Sequence, residues 1–186
     1  MRIIGGEFGG RRLVAPKGRD TRPTADRTRE ALFNVLASRD DVVFEGARII
    51  DLFAGSGALG LEAMSRGGAW CLFVETDAGA RGAIRDNVEA LGLFGVTRIH
   101  RRSATSLGSK PAGVGPPFTL AFLDPPYGKD LVAPALETLR DGAWLADGAI
   151  VIAEQGAGEE HALAEGFTEL DRRTYGAAQI GVFKFH

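Results

Sequence analysis

The spacing of apolar and polar positions changes character near residue 47. Beyond it, short apolar runs alternate with longer stretches whose apolar residues recur every three or four positions. The runs predict strands at 47–52, 70–75, 96–101, 118–123 and 148–154, and the stretches predict helices at 57–67, 78–91 and 130–140. Such alternation argues for a parallel sheet with helices on both faces. The tail differs, because 167–174 and 179–185 read as successive strands around Tyr175-Gly176-Ala177-Ala178. A link so short makes that pair antiparallel. Ahead of residue 47, two short strands near 2–4 and 11–15 are joined through Gly5, Gly6, Gly9 and Gly10. A polar loop over 19–24 leads to a helix with Thr24 as N-cap and Ala31, Leu32, Val35 and Leu36 as its apolar stripe. The expected fold is therefore an open, doubly wound, mostly parallel α/β sheet ending in an antiparallel hairpin. A small N-terminal hairpin and helix, residues 1–40, precedes the body, residues 41–186.

Composition narrows the function classes. At 186 residues the chain suits one well-buried domain. No apolar run is long enough for a membrane helix, and the N-terminus lacks the apolar core of a secretory leader. The lone Cys71 lies in an apolar run and reads as a core residue in a reducing cytoplasm rather than a nucleophile. His100, His161 and His186 are scattered, so no metal site is expected. The net charge of −2 conceals an asymmetry. Residues 1–30 hold eight Lys/Arg against four acids, whereas the remainder holds 14 against 20. A basic arm on an acidic body suits an approach to a polyanion.

The first strong strand runs into Asp51-Leu52-Phe53-Ala54-Gly55-Ser56-Gly57-Ala58-Leu59-Gly60. The last six satisfy the G-x-G-x-x-G pattern of dinucleotide folds, and Glu75, 20 residues after Gly55, fits an acid that takes ribose hydroxyls. A nicotinamide or flavin oxidoreductase is thus one reading. Asp51 weighs against it, since a carboxylate beside the loop suits an ammonium or sulfonium better than a pyrophosphate. S-adenosylmethionine offers a ribose for Glu75, a cationic amino-acid end for Asp51, and no phosphates.

A second loop, Asp124-Pro125-Pro126-Tyr127, follows the apolar run 118–123. Proline fixes φ, removes a donor and holds the preceding residue extended. The loop is either a plain turn or a clamp for an exocyclic amino group. In the clamp, Asp124 and the Pro125 carbonyl accept N–H and Tyr127 stacks on the ring.

These two loops together resemble class I S-adenosylmethionine-dependent methyltransferases that modify amino groups. Further blocks, Arg2-Ile3-Ile4-Gly5-Gly6, Arg22-Pro23-Thr24, the run 26–34 from Asp26 to Asn34, and the run 57–66 from Gly57 to Arg66, are similar to the RsmD family. That family methylates the N2 amino group of a guanine in 16S ribosomal RNA. The resemblance is sharpest over residues 1–66 and 123–128. It implies that Asp51, Phe53, Gly55, Ser56 and Gly57 wall the methionine part of the cofactor. It also implies that Glu75 binds the ribose with Asp77 close by, and that the segment Arg102-Ser103-Ala104 meets the adenine edge. Ser103 departs from the Asn or Asp the family commonly has there. Asp124, Pro125 and Tyr127 match the catalytic motif unchanged.

On this reading Arg11, Arg12, Lys17, Arg19 and Arg22 contact RNA phosphates, which confer affinity with little sequence discrimination. Of Arg27 and Arg29, one faces RNA and the other pairs with Glu30 or Asp26. Phe33 and Asn34 are candidates for the cofactor mouth, Phe33 equally for the core, while Trp70 and Trp144 read as packing. The partner is 16S RNA, a small subunit or an assembly intermediate, approached by a cytoplasmic monomer. Adenine N6 in nucleic acid, or a glutamine side chain, is the alternative acceptor.

Overall fold

A computed structural model describes residues 1–16, 23–159 and 163–186, with the side chains of 23–25 left out. Seven strands and four helices follow one another as α1 (Pro23–Ala37), β1 (Arg48–Leu52), α2 (Ala58–Ser65), β2 (Trp70–Val74), α3 (Ala78–Leu91), β3 (Thr97–His100), β4 (Phe118–Leu123), α4 (Val132–Asp141), β5 (Leu145–Gly156), β6 (Phe167–Tyr175) and β7 (Ala178–Phe185). They form one sheet in the order β3-β2-β1-β4-β5-β7-β6. The strands from β3 to β5 are parallel, and β7 lies antiparallel between β5 and β6. The strand order reverses direction between β1 and β4, which opens a crevice beyond their C-terminal ends, where open α/β sheets bind ligands.

Alternation along the strands divides the core in two. Ile49, Phe73, Phe122 and Ile152 face one way and pack with Leu32, Phe33 and Leu36 of α1, Leu61 of α2 and Ile84 and Val88 of α3. Ile50, Leu72, Ala121 and Val151 face the other way and pack with Leu136 and Leu139 of α4 and with Trp144. Both faces are covered, so the parallel strands read as continuous apolar runs.

Most expected boundaries hold to within about three residues, and the departures have local causes. Strand β5 starts at Leu145 rather than 148, because the polar break at Asp147-Gly148 is absorbed by a register shift against β4 and a positive φ at Gly148. Helix α1 already includes Pro23, so Thr24 stands inside its first turn instead of ahead of it, and proline suits that entry position. The N-terminal strands reduce to a single antiparallel bridge, Arg2 to Arg12, flanked by bonds from the Ile3 N–H to the Arg11 carbonyl and the Leu13 N–H to the Met1 carbonyl.

What that ribbon lacks in ladder bonds it gains from buried side chains of the body. The Glu62 carboxylate, fully buried, accepts from the Ile4 and Gly5 N–H groups at 2.7 and 2.9 Å and from Arg66 Nε at 2.9 Å. Ser65 accepts from the Phe8 N–H and donates to the Gly5 carbonyl. Asn87 accepts from the Val14 N–H and donates to the carbonyls of Val14 and Ser56. The Asn87 side chain thus bridges the N-terminal segment and the glycine loop.

Candidate active site

The loops after β1 and β4 meet at the crevice, where the Asp124 N–H donates to the Leu52 carbonyl at 3.4 Å. Two cavities open there and share Phe53, Asp124 and Tyr127. One, of about 630 Å³, is lined by Val74, Glu75, Arg102, Ala104, Pro125 and Leu131. The other, of about 410 Å³, is bounded by Asp51, Gly55, Ser56, Glu154 and Tyr175, with Met1, Ala15 and Arg29 from the N-terminal region.

The wall between β1 and α2 depends on two glycines. Gly57 caps α2 at φ 79°, a left-handed conformation that L side chains rarely adopt. Gly60 lets the helix lie against the sheet, since a Cβ there would stand 2.6 Å from Phe73 and 2.8 Å from Cys71 Sγ. That close approach lets the Gly60 N–H reach Asp51 Oδ2 at 2.9 Å. Among the described residues Asp51 Oδ1 has no partner, although Asp51 is almost wholly buried. Burial pushes its carboxyl well above the ordinary carboxylate range, and the nearby Asp124 and Glu75 push the same way. Glu75 accepts from the Gly55 N–H at 2.9 Å and the Asp77 N–H at 2.8 Å, and so fixes the loop from the neighbouring strand. A pyrophosphate resting here would face three carboxyl groups, whereas an ammonium would meet an unsatisfied oxygen.

Across the crevice Asp124 is exposed, Pro125 is buried, and Tyr127 is 44% exposed. Tyr127 Oη donates to Glu154 Oε1, and the Gly128 N–H donates to Glu159 at 2.7 Å, so β5 and the turn after it hold this loop. Burial raises the Tyr127 phenol, and the Glu154 hydrogen bond adds to it. Burial likewise raises Glu154, partly offset by the hydroxyl it accepts from.

Asp51, Phe53, Gly55, Ser56, Glu75, Ala104, Asp124, Pro125 and Tyr127 all line the two cavities. Gly57, Asp77 and Ser103 do not. Asp77 caps α3 by accepting from the Ala80 N–H, and the exposed Ser103 hydroxyl pairs with Thr105. Arg102, of the same expected segment, lines the larger cavity with Ala104. Arg12 is exposed, and Arg11 donates to the Ala90 carbonyl at the end of α3. Lys17, Arg19 and Arg22 lie outside the described residues. Of the two ambiguous arginines, Arg27 faces outward, while Arg29 is buried against Asp26 and the Arg2 carbonyl. Burial lowers the Arg29 guanidinium. Phe33 belongs to the core beside Phe44 and Phe122, and Asn34 is exposed away from both cavities. Trp144 is core, stacked on Phe118, and Trp70 packs under Arg48.

Sequence reasoning missed Glu154 and a second basic surface. Arg81, Arg85, Arg98 and Arg101 line a groove of about 510 Å³ between α3 and the edge strand β3, with the ring of Phe94 59% exposed at its side. The groove adjoins the larger cavity, since Arg81 donates to the carbonyl of Thr76 and Arg101 precedes Arg102. Among the described residues no group of His, Cys, Asp and Glu is placed to hold a metal ion, and no helix is long and apolar enough to cross a membrane.

A family model described as "Conserved hypothetical protein 95" matches residues 1–184. The chain is 38% identical to Ribosomal RNA small subunit methyltransferase D of Escherichia coli (strain K12) over 154 residues, 83% of this chain and 74% of the relative. It is 30% identical over 185 residues to the Haemophilus influenzae protein of the same name, covering 99% and 93%. Among solved structures, Escherichia coli yhhF superposes with a TM-score of 0.82 and 33% identity, covering 100% of this chain and 97% of that one.

Proposed function

Because this chain belongs to the RsmD family of small-subunit ribosomal RNA methyltransferases, we propose that it methylates the N2 amino group of a guanine in 16S ribosomal RNA, with S-adenosylmethionine as donor. One observation carries the reading: the cavity beside Glu75 and the cavity beside Asp51 join at Asp124 and Tyr127. A donor held along the first strands and a base entering from the other side meet at that junction.

The residues fit the donor. Asp51 Oδ1, buried and unsatisfied, would take the amino-acid ammonium, a cation that favours the ionised carboxyl. Glu75 spends one lone pair of each oxygen on the loop and keeps others for ribose hydroxyls. Val74, Ala104, Pro125 and Leu131 offer an apolar slot for a purine ring. The bound cofactor supplies an electrophilic sulfonium methyl.

The remaining work falls to the acceptor side. An exocyclic amino nitrogen is a poor nucleophile, since its lone pair is delocalised into the ring. Hydrogen bonds from its two N–H groups to the Asp124 carboxylate and the Pro125 carbonyl favour the geometry that frees that pair. As the nitrogen turns cationic, those acceptors interact more strongly than in the ground state, which lowers the barrier. Tyr127 stacks on the base, worth about 1–3 kcal/mol in single-strand recognition. A base inside a helix cannot enter such a cleft, so the target is unpaired or flipped out.

RNA contact extends beyond the cleft. Arg12 and the arginines of the α3–β3 groove face outward and supply phosphate contacts, and Phe94 supplies a stacking face. The substrate places the enzyme in the cytoplasm, where ribosomes are assembled, and it acts as a monomer. Incubating the protein and S-adenosylmethionine with small subunits or 16S RNA from cells lacking the enzyme, followed by nucleoside analysis, should yield N2-methylguanosine. N6-methyladenosine would replace guanine with adenine as the target. Calorimetric binding of NAD(H), with no response to S-adenosylhomocysteine, would overturn the reading altogether.

A further inference from the structure

We propose that Glu154 reads the edge of the target base and makes the cleft selective for guanine; this rests on the methyltransferase reading above. Strands β4 and β5 are parallel, with Leu123 opposite Ala153. The next residues in that register are Asp124 and Glu154, on strands about 4.8 Å apart. Leu120, Phe122, Ile150 and Ile152 occupy one face of the sheet, and Asp124 and Glu154 continue the same alternation toward it. Both line the same cavity, and Tyr127 joins them, its hydroxyl donating to Glu154 Oε1. The cleft therefore presents two carboxyl groups side by side with one aromatic side chain.

Glu154 is half-buried, and no salt bridge involves it among the described residues. A carboxylate has about four acceptor sites, and one phenol hydroxyl fills one of them. The capacity left over faces a cavity sized for a ligand, and once a ligand fills that cavity an acceptor left without a donor is costly. A base that brings a donor relieves that cost, and one that brings a lone pair adds to it.

Guanine brings the donor. Its N2 amino group lies next to N1–H, so an amino nitrogen held by Asp124 places a second N–H on the same edge for the adjacent carboxylate. Adenine fails this test, because N6 is flanked by N1 and N7, both acceptors. A glutamine amide fails it too, its neighbouring group being a carbonyl oxygen. Asp124 thus selects an amino group, and Glu154 selects the amino group that has a donor beside it. Discrimination of this kind is strong, because the wrong ligand leaves a polar group of the site unpaired.

The competing role is a purely structural one, in which Glu154 only fixes the Tyr127 ring. 2-Aminopurine separates the two, since it keeps the N2 amino group and carries a bare lone pair at N1. RNA with guanine or 2-aminopurine at the methylated position would be compared by kcat/KM in wild type, Glu154→Gln and Tyr127→Phe. Wild type should prefer guanine by about 10- to 100-fold. Glu154→Gln has an amide N–H to offer N1 and should shrink that preference to within about threefold, chiefly by accelerating the 2-aminopurine substrate. Comparing enzymes on the same two substrates cancels the missing 6-oxo group. Tyr127→Phe should slow both substrates and leave their ratio in place. If Glu154→Gln slows both equally and keeps the wild-type ratio, Glu154 merely positions Tyr127 and the proposal is overturned. If wild type forms no N2-methylguanosine at all, the methyltransferase reading fails instead. S-adenosylhomocysteine binding by each variant confirms that it is folded.

Discussion

The two sides of the crevice are built differently. The side after β1 is made of backbone: left-handed residues at Phe53, Gly55 and Gly57, a helix pressed to the sheet at Gly60, and N–H groups spent on Asp51 and Glu75. The side after β4 is made of side chains: exposed Asp124, half-exposed Tyr127, and Glu154 reaching in from β5. On the proposed function, the contrast matches what each side would hold. A cofactor identical at every turnover is best met by a preorganised wall with one unsatisfied oxygen. A base drawn out of a folded RNA needs an open approach and acceptors that gain strength as the reaction proceeds. Binding and chemistry should therefore be separable by mutation.

The largest effect belongs to the open side. On the proposed function, Asp124→Ala removes an acceptor that tightens in the transition state and leaves the β1 wall intact. Single-turnover transfer should fall by about 10²- to 10³-fold, comparable to losing one oxyanion-hole donor. The Kd for S-adenosylhomocysteine should move by less than about threefold, as read by calorimetry. A comparable loss in both measurements would mean that the two sides are one.

Asp51→Asn should do the reverse, at about tenfold to hundredfold in cofactor affinity, the scale of a hydrogen bond to a charged group. The asparagine oxygen still accepts from Gly60, but the amide N–H₂ now faces the ammonium. A signature in pH accompanies this change. Burial first, then Asp124 and Glu75, raise the folded-state pKa of Asp51 above its unfolded value. Between the ordinary carboxylate range and that raised value the native protein binds more protons than the unfolded chain, so cofactor-free stability falls as pH rises. Asp51→Asn removes this share of the decline, and thermal melts against pH should be shallower in the variant. Wild-type cofactor affinity should climb over the same window as the carboxyl ionises, whereas the variant's should not. Parallel melting curves would remove Asp51 as the ammonium site.

How much of this was legible depends on where each residue's partner lies. The body was readable because a parallel strand buried on both faces must be a continuous apolar run, and Phe118–Leu123 is one. Asp51 and Asp124 were readable because each acid stands at the C-terminal edge of such a strand, Asp51 inside it and Asp124 just after it. Glu154 ends another, after Ala149–Ala153, so the same signal marked it and only its neighbour in space was missing. Glu62, Ser65 and Asn87 gave no signal at all. On their helices they look like ordinary polar positions, and the partners that tie them to the N-terminal ribbon are backbone groups 57 or more residues away. Arg29 was ambiguous for a related reason, since pairing with Asp26 is visible in sequence but burial beneath the Arg2 carbonyl is not. The arginines of the α3–β3 groove were hidden by averaging. Residues beyond 30 are acidic as a whole, and only folding brings Arg81 and Arg85 on a helix beside Arg98 and Arg101 near a strand.

That groove supplies the smallest of these effects, and it tests how far the open side extends. It adjoins the cofactor cavity at Thr76 and Arg102, so RNA lying in it would cross the donor wall before its base reaches Asp124. Phosphate contacts act additively through counterion release and carry little sequence preference. Reversing Arg85 and Arg98 to Glu should lower RNA affinity about tenfold at low salt and reduce the slope of log K against log salt by about 2. Cofactor binding should not change, and neither should the transfer rate once RNA is saturating, because neither arginine lines the crevice. Filter binding across a salt series measures the slope. If it matches wild type, RNA does not reach the α3–β3 edge, and phosphate recognition falls to the basic residues of the N-terminal segment.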